Sequence, residues 1–152
     1  MKIRLLKTED LEQIVEIWFK GSIRAHDFID QEYWESMKME MRNTYLPMSE
    51  TYVIDQGTKV LGFVSMVDNY LAALFIDVAE HNKGYGKQLL EFVKRQYEAI
   101  QLKVYQRNTN AIDFYLRNGF EIIEEVMDQQ TSQKEFIMMW RKKGEAIHHK
   151  NI

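Results

Sequence analysis

The stretch from Ala73 to Val93 limits most sharply what this chain can fold into. Its first part, Ala-Leu-Phe-Ile-Asp-Val over Ala73 to Val78, is apolar and reads as a buried strand. Its last part, from Tyr85 on, puts Leu89, Leu90, Val93 and Tyr97 on one face of a helix. A short loop with Lys83, Gly84 and Gly86 joins them. A strand that runs into a helix through a glycine loop leaves the N–H groups of the first helical turn without intrahelical partners. Their partial charge adds to the helix dipole, and glycine lets an anion approach the backbone and permits positive φ. Such a loop suits a phosphate or pyrophosphate.

Spacing tests which phosphate ligand is meant. The dinucleotide loop G-x-G-x-x-G needs a third glycine at position 89, which is Leu89. The P-loop needs glycine at 81 and Ser or Thr at 88; the chain has His81 and Gln88. The run His81-Asn82-Lys83-Gly84-Tyr85-Gly86 instead resembles the acyl-CoA loop of the GCN5-related N-acetyltransferases (GNAT): Arg or Gln, two residues, Gly, one residue, then Gly or Ala. Both glycines match. His81 stands where the family has Arg or Gln, and Ala79 where it often has Pro. Later in the chain, the run Asn108-Thr109-Asn110-Ala111 continues the likeness: Ala111, Phe114, Tyr115, Gly119 and Phe120 fall on the family pattern N-x-x-A-x-x-F-Y-x-x-x-G-F, with Asn108 at its first position and Asn110 directly before Ala111. The run Arg24-Ala25-His26-Asp27-Phe28 is similar to one found in small bacterial stand-alone acetyltransferases.

Length and composition are consistent with one soluble domain. The chain has 152 residues, 45% hydrophobic and 28% charged, enough for a real core. No apolar run approaches the roughly 18 residues of a membrane span, and Met1 to Lys7 lacks the apolar centre of a signal peptide. The absence of cysteine excludes disulfides and thiolate catalysis and is compatible with the cytoplasm. With a net charge of −3 and scattered basic residues, the chain shows no basic face for nucleic acid. No spacing suggests a metal site, His148 and His149 in the tail included.

Read in order, the chain gives a strand over Lys2 to Leu6 and a helix with Leu11, Ile14, Val15, Trp18 and Phe19 on one face, capped by Thr8 and ended by Gly21. A loop to Asp30 follows, then a helix from about Gln31 to Tyr45 closed by Pro47. Its side with Trp34, Met37 and Met41 reads as ordinary packing ahead of an acceptor-binding wall. Glu50 to Asp55, Lys59 to Val67 and Leu71 to Val78 are strands, and the glycine-loop helix ends near Ala99. Gln101 to Tyr105 is a strand, Asn110 to Arg117 a helix, and Phe120 to Val126 with Phe136 to Trp140 a closing hairpin. The expected fold is a single mixed α/β (α+β) domain over 1–142 with a polar tail at 143–152. Its mostly antiparallel sheet of about seven strands is flanked by about four helices and splays at one parallel pair.

The GNAT resemblance implies more. The strands ending at Val78 and Tyr105 would lie side by side and part at their carboxyl ends, where the pantetheine arm of acetyl-CoA bonds backbone groups near Ile76 and Val78. The pyrophosphate would sit on amides from His81 to Lys87, with Lys83, Gly84, Tyr85, Gly86 and Lys87 around it, and Asn110 would bond the pantetheine or phosphate region. Tyr115 stands at the family's general-acid position. A phenol with pKa about 10 is protonated at neutral pH and can protonate a leaving thiolate, and a backbone N–H at Val78 can polarise the thioester carbonyl. The acceptor amine must be neutral; His26 is the best side chain to take its proton, Tyr70 can relay a proton or line the cleft, and Asp68 and Asp77 are further options. The function expected is direct acetyl transfer from acetyl-CoA to a primary amine on a small molecule, a lysine or a protein N-terminus. The alternative is a non-catalytic acyl-CoA-binding sensor. The expected partners are acetyl-CoA and an amine acceptor, with no metal, nucleic acid or membrane, the protein acting as monomer or homodimer.

Overall fold

The computed structural model describes residues 1–143; the expected tail, with His148 and His149, lies outside the described residues from position 144 on. The chain divides into two compact units, Met1–Glu91 and Phe92 onward. In the first, β1 (Lys2–Leu5), β2 (Glu50–Asp55), β3 (Val60–Val67) and β4 (Tyr70–Ile76) pair antiparallel in sequence order. In the second, β5 (Ala99–Tyr105) pairs antiparallel with β7 (Gln133–Arg141), and β7 with β6 (Glu121–Asp128). All seven belong to one mixed sheet, ordered β1-β2-β3-β4-β5-β7-β6, with one parallel pair. The expected sheet is therefore the one present.

The first unit takes its core from apolar periodicity. Helix α1 (Leu11–Ala25) buries Ile14, Val15, Ile17, Trp18 and Phe19, and β3 is buried from Val60 to Met66. Two expectations about α1 are corrected. Gly21 does not end it: the helix runs four residues further, to Ala25. A Cβ at Gly21 would stand 2.7 Å from Cδ1 of Phe75, so this glycine makes room for a ring and does not stop a helix. Nor does Thr8 cap α1. Thr8–Asp10 is a 3-10 turn, and the backbone N–H of Lys7 donates to Asp10 Oδ2 at 2.8 Å. Asp10 is 5% exposed and is held by the Arg4 guanidinium at 2.8 Å, which also reaches Asp55 at 2.9 Å.

The second helical region is broken where one helix was expected. It consists of α2 (Gln31–Ser36), α3 (Lys38–Glu40), a π-helical turn (Met41–Tyr45) and α4 (Leu46–Met48). Asp30 caps α2, its Oδ1 accepting from Glu32 N at 3.0 Å. Pro47 lies inside the first turn of α4 and does not terminate the region.

Helix α5 (Tyr85–Lys94) buries Leu89, Leu90 and Val93 completely, as the periodicity demands. It stops at Lys94, short of the expected Ala99, which is the first residue of β5; Tyr97 therefore lies beyond the helix. Helix α6 (Thr109–Arg117) is capped by Asn108, whose Oδ1 accepts from Ala111 N at 3.3 Å. Gly119 follows it at φ +91°. The β6–β7 hairpin runs closer to its turn than expected, to Asp128 and from Gln133, while β6 begins one residue later, at Glu121, and β7 ends one residue later, at Arg141.

Candidate active site

The glycine loop is built by local hydrogen bonding. β4 ends at Ile76, two residues before the expected end, and Asp77 turns the chain: its Oδ1 accepts from Ala79 N at 3.0 Å and opens a 3-10 turn over Val78–Glu80. The His81 imidazole Nε2 is 2.9 Å from the Ile76 carbonyl, folding the loop back on the strand end. Asn82 and Gly84 take φ of +66° and +83°. The first bond of α5 runs from Gln88 N to Gly84 O at 3.1 Å, so the N–H groups of Tyr85, Gly86 and Lys87 belong to the turn that makes no such bond. A Cβ placed on Gly84 would meet nothing within 4 Å. First-turn amides beside an unobstructed glycine are the arrangement that could take an anion such as a pyrophosphate.

The charges around the loop are already arranged. Glu80 holds Lys83 at 3.0 Å and Lys59 at 3.3 Å; both cations keep its carboxyl below the usual range, and Glu80 in turn raises Lys83. Lys87 is exposed on the first turn of α5. Glu80 carried no signal in the sequence, because one of its partners, Lys59, stands just before β3, 21 residues earlier in the chain.

The other residues singled out by sequence fall in different places. Tyr70 opens β4, opposite Val67, while Ile76 closes it, opposite Gly62; at about 3.3 Å per residue they are about 20 Å apart along the strand. Between them the register jumps from Ser65↔Ala73 to Met66↔Leu71, leaving Ala72 as an extra residue in β4. Nothing in the sequence announces that bulge. Asp68 has φ +53° in the exposed turn before Tyr70. Asn110 is exposed in the first turn of α6, whereas Tyr115 of the same helix is 8% exposed, with ring centroids 5.3 Å from both Phe114 and Phe120.

His26 is the least expected placement. It is the C-cap of α1 and 8% exposed, its ring stacked on Trp34 at 5.1 Å and edge-on to Phe28 at 5.8 Å. Burial pushes its imidazole down to about 4, against a smaller opposing effect of the Ser22 backbone, so the ring is neutral at neutral pH. Among the described residues no group of three or more His, Asp or Glu side chains is placed to hold a metal ion, and no helix is long and apolar enough to cross a membrane.

Comparison with known proteins gives the family. A family model described as the GNAT acetyltransferase domain matches residues 47–122, the segment from α4 through the start of β6. Peptidyl-lysine N-acetyltransferase YiaC of Escherichia coli K12 is 33% identical over 139 residues, covering 91% of this chain and 95% of that protein. The chain belongs to the GNAT acetyltransferase family. As a GNAT protein it is an acetyl-CoA-dependent N-acetyltransferase. Among solved structures, apo YjaB from Escherichia coli superposes with a TM-score of 0.81 at 25% identity, covering 91% of this chain and 96% of that one. The PaiA N-acetyltransferase of Thermoplasma acidophilum, solved with coenzyme A, superposes at 0.76 and shares the fold at 24% identity, with 93% and 100% covered. Acetyl-CoA is the cosubstrate of GNAT acetyltransferases.

Proposed function

We propose that this GNAT enzyme acetylates the side-chain Nζ of lysine within a peptide or protein. The likeness to YiaC along nearly the whole of both chains carries this reading, and YjaB of Escherichia coli, at 27% identity over 80% of this chain, is also named a peptidyl-lysine N-acetyltransferase. Acetyl-CoA supplies an acetyl group activated as a thioester, which an amine can take directly, without an acyl-enzyme. In this reading the amides of Tyr85 to Lys87, beside Gly84 and Gly86, hold the pyrophosphate, and the backbone at Ile76 and Val78 holds the pantetheine arm. His81 keeps the loop folded on Ile76, and the Lys83 ammonium can turn to a phosphate only by loosening from Glu80. Asn110 adds a side-chain hydrogen bond to the arm.

Tyr115 is the proton donor to the departing sulfur. An ordinary phenol, with pKa about 10, is protonated at neutral pH and can donate. A lysine ammonium with pKa about 10.4 must lose a proton before it can attack. His26, neutral but pressed far down by burial, is too weak a base to hold that proton; it accepts a hydrogen bond on the acceptor side while the proton leaves through water, with Tyr70 lining the path. Action in the cytoplasm, as a monomer or homodimer, belongs to the same reading, and light scattering on the purified protein measures the second point.

The test is mass spectrometry of a lysine-containing peptide incubated with acetyl-CoA and enzyme, beside the same peptide with its lysine Nζ blocked and its N-terminus free. Acetylation of the first alone supports lysine as the acceptor. Equal acetylation of both moves the acceptor to the α-amine, and modification of neither peptide with turnover on a small amine removes the peptide reading altogether.

A further inference from the structure

Trp18, Ser22 and His26 recur every four residues along α1 and therefore line one face of it. The Trp34 indole lies over that face. Its ring is 5.9 Å from the Trp18 ring, edge-on, and 5.1 Å from the His26 imidazole, nearly parallel. Ser22 lies between those two residues on the same face of the helix. Ser22 is 0% exposed and Trp34 is 8% exposed. Ser22 Oγ and Trp34 Nε1 are buried polar atoms with no hydrogen-bond partner among the described residues.

Two such atoms together are costly. A buried polar group left unpaired costs about 1–3 kcal/mol, and native structures almost always supply a partner, often an internal water. The chemistry of the two atoms suits one water. An indole N–H can only donate, whereas a hydroxyl both donates and accepts. A water that accepts from Trp34 Nε1 and shares a hydrogen bond with Ser22 Oγ pairs both, and it retains hydrogen-bonding capacity toward the third polar group on this face, the His26 imidazole.

We propose that Ser22 Oγ and Trp34 Nε1 hold one internal water against His26, and that through it Ser22 and Trp34 act as positioning residues for the imidazole. The functional half of this rests on reading His26 as a group that serves the acceptor amine. An uncharged water gives the imidazole a polar neighbour without inviting a proton onto it, so the neutral ring keeps one tautomer and one face toward the acceptor. Trp34, which periodicity alone assigned to packing, then has a polar task at its nitrogen and an apolar one over its rings.

The water is tested on the folded protein without acetyl-CoA. NMR of the wild type should show a rotating-frame Overhauser contact between the Trp34 indole proton and a long-lived water, and the His26 ring nitrogens should report a single tautomer. In Ser22→Ala the contact should vanish and the tautomers mix; Ser22→Thr, which keeps the hydroxyl, should restore both. Acetyl transfer by Ser22→Ala should fall about tenfold in kcat with the KM for acetyl-CoA unchanged. A purely structural role for Ser22 would lower Tm and leave the tautomer alone. Absence of the water contact in the wild type, or its survival in Ser22→Ala, overturns the water site and leaves the transferase reading untouched. A clear water contact together with full activity in His26→Gln does the reverse: the site stands, and its link to the acceptor fails.

Discussion

Replacing Gly84 by alanine, with Gly57→Ala beside it, separates the two things a loop glycine can do. Both glycines have positive φ, +83° at Gly84 and +104° at Gly57, and an added Cβ meets nothing within 4 Å at either. Neither alanine clashes, so the folding cost at each is conformational, about 1–2 kcal/mol for an L-residue held in the left-handed region. For a protein of this size that lowers Tm by about 2–8 °C. Binding should divide the pair. At Gly57, in the β2–β3 turn, acetyl-CoA affinity should stay within about twofold of wild type. At Gly84 the methyl group would enter the space where, in the proposed reading, a phosphate oxygen meets the first-turn amides of α5. Losing one hydrogen bond to a charged group costs about 1.5–3 kcal/mol, which raises Kd about 10- to 100-fold. Differential scanning fluorimetry reads the stability and calorimetric titration with acetyl-CoA reads the affinity. If Gly84→Ala loses the same Tm as Gly57→Ala and binds acetyl-CoA as well as wild type does, this loop is not where the phosphates sit.

Other substitutions probe the remaining assignments. Tyr115→Phe should lower kcat about 10²- to 10⁴-fold and leave acetyl-CoA affinity within twofold, because the ring keeps its contacts with Phe114 and Phe120; an unchanged kcat removes the phenol from the chemistry. His26 makes stability depend on pH: its folded value of about 4 lies below the ordinary 6.5, so the unfolded chain takes up the proton first as pH falls. Its contribution is complete above pH 6.5 and is lost on going down to pH 4, about 3 kcal/mol in all. Urea titrations should show that slope in wild type and its loss in His26→Gln. Gly62→Ala should destabilise more than Gly21→Ala, since its Cβ would stand 2.6 Å from the rigid Phe75 carbonyl, whereas at Gly21 the clash is with a ring that can turn. Overpacking of this kind costs about 1–3 kcal/mol, and equal midpoints in chemical unfolding would contradict the ranking.

Much of the fold and the conformation of the glycine loop was legible in the chain because the signals involved are local. The apolar period of α5, the glycines at 84 and 86, the turn residues between β2 and β3, and the Phe114-Tyr115 to Gly119-Phe120 run all act within a turn or two of themselves. A rule about neighbouring residues can therefore read them. The family likeness then extended that reading to acetyl-CoA. What only the tertiary structure decided lies between residues far apart in sequence. Gly21 looks like a helix stop until the Phe75 ring is seen against it, and Gly62 looks like an ordinary strand residue until the Phe75 carbonyl is. His26 looks like an accessible loop base until Trp34 is laid across it and burial takes away its basicity. Ala72 becomes a bulge only through the register of β3 against β4. Sequence determines which segments form helices and strands, because hydrophobic period and backbone preference are properties of the segment. Which glycine is indispensable and which histidine is neutral depend on the packing of distant side chains, because steric exclusion and desolvation are set by whatever atoms end up within a few ångströms.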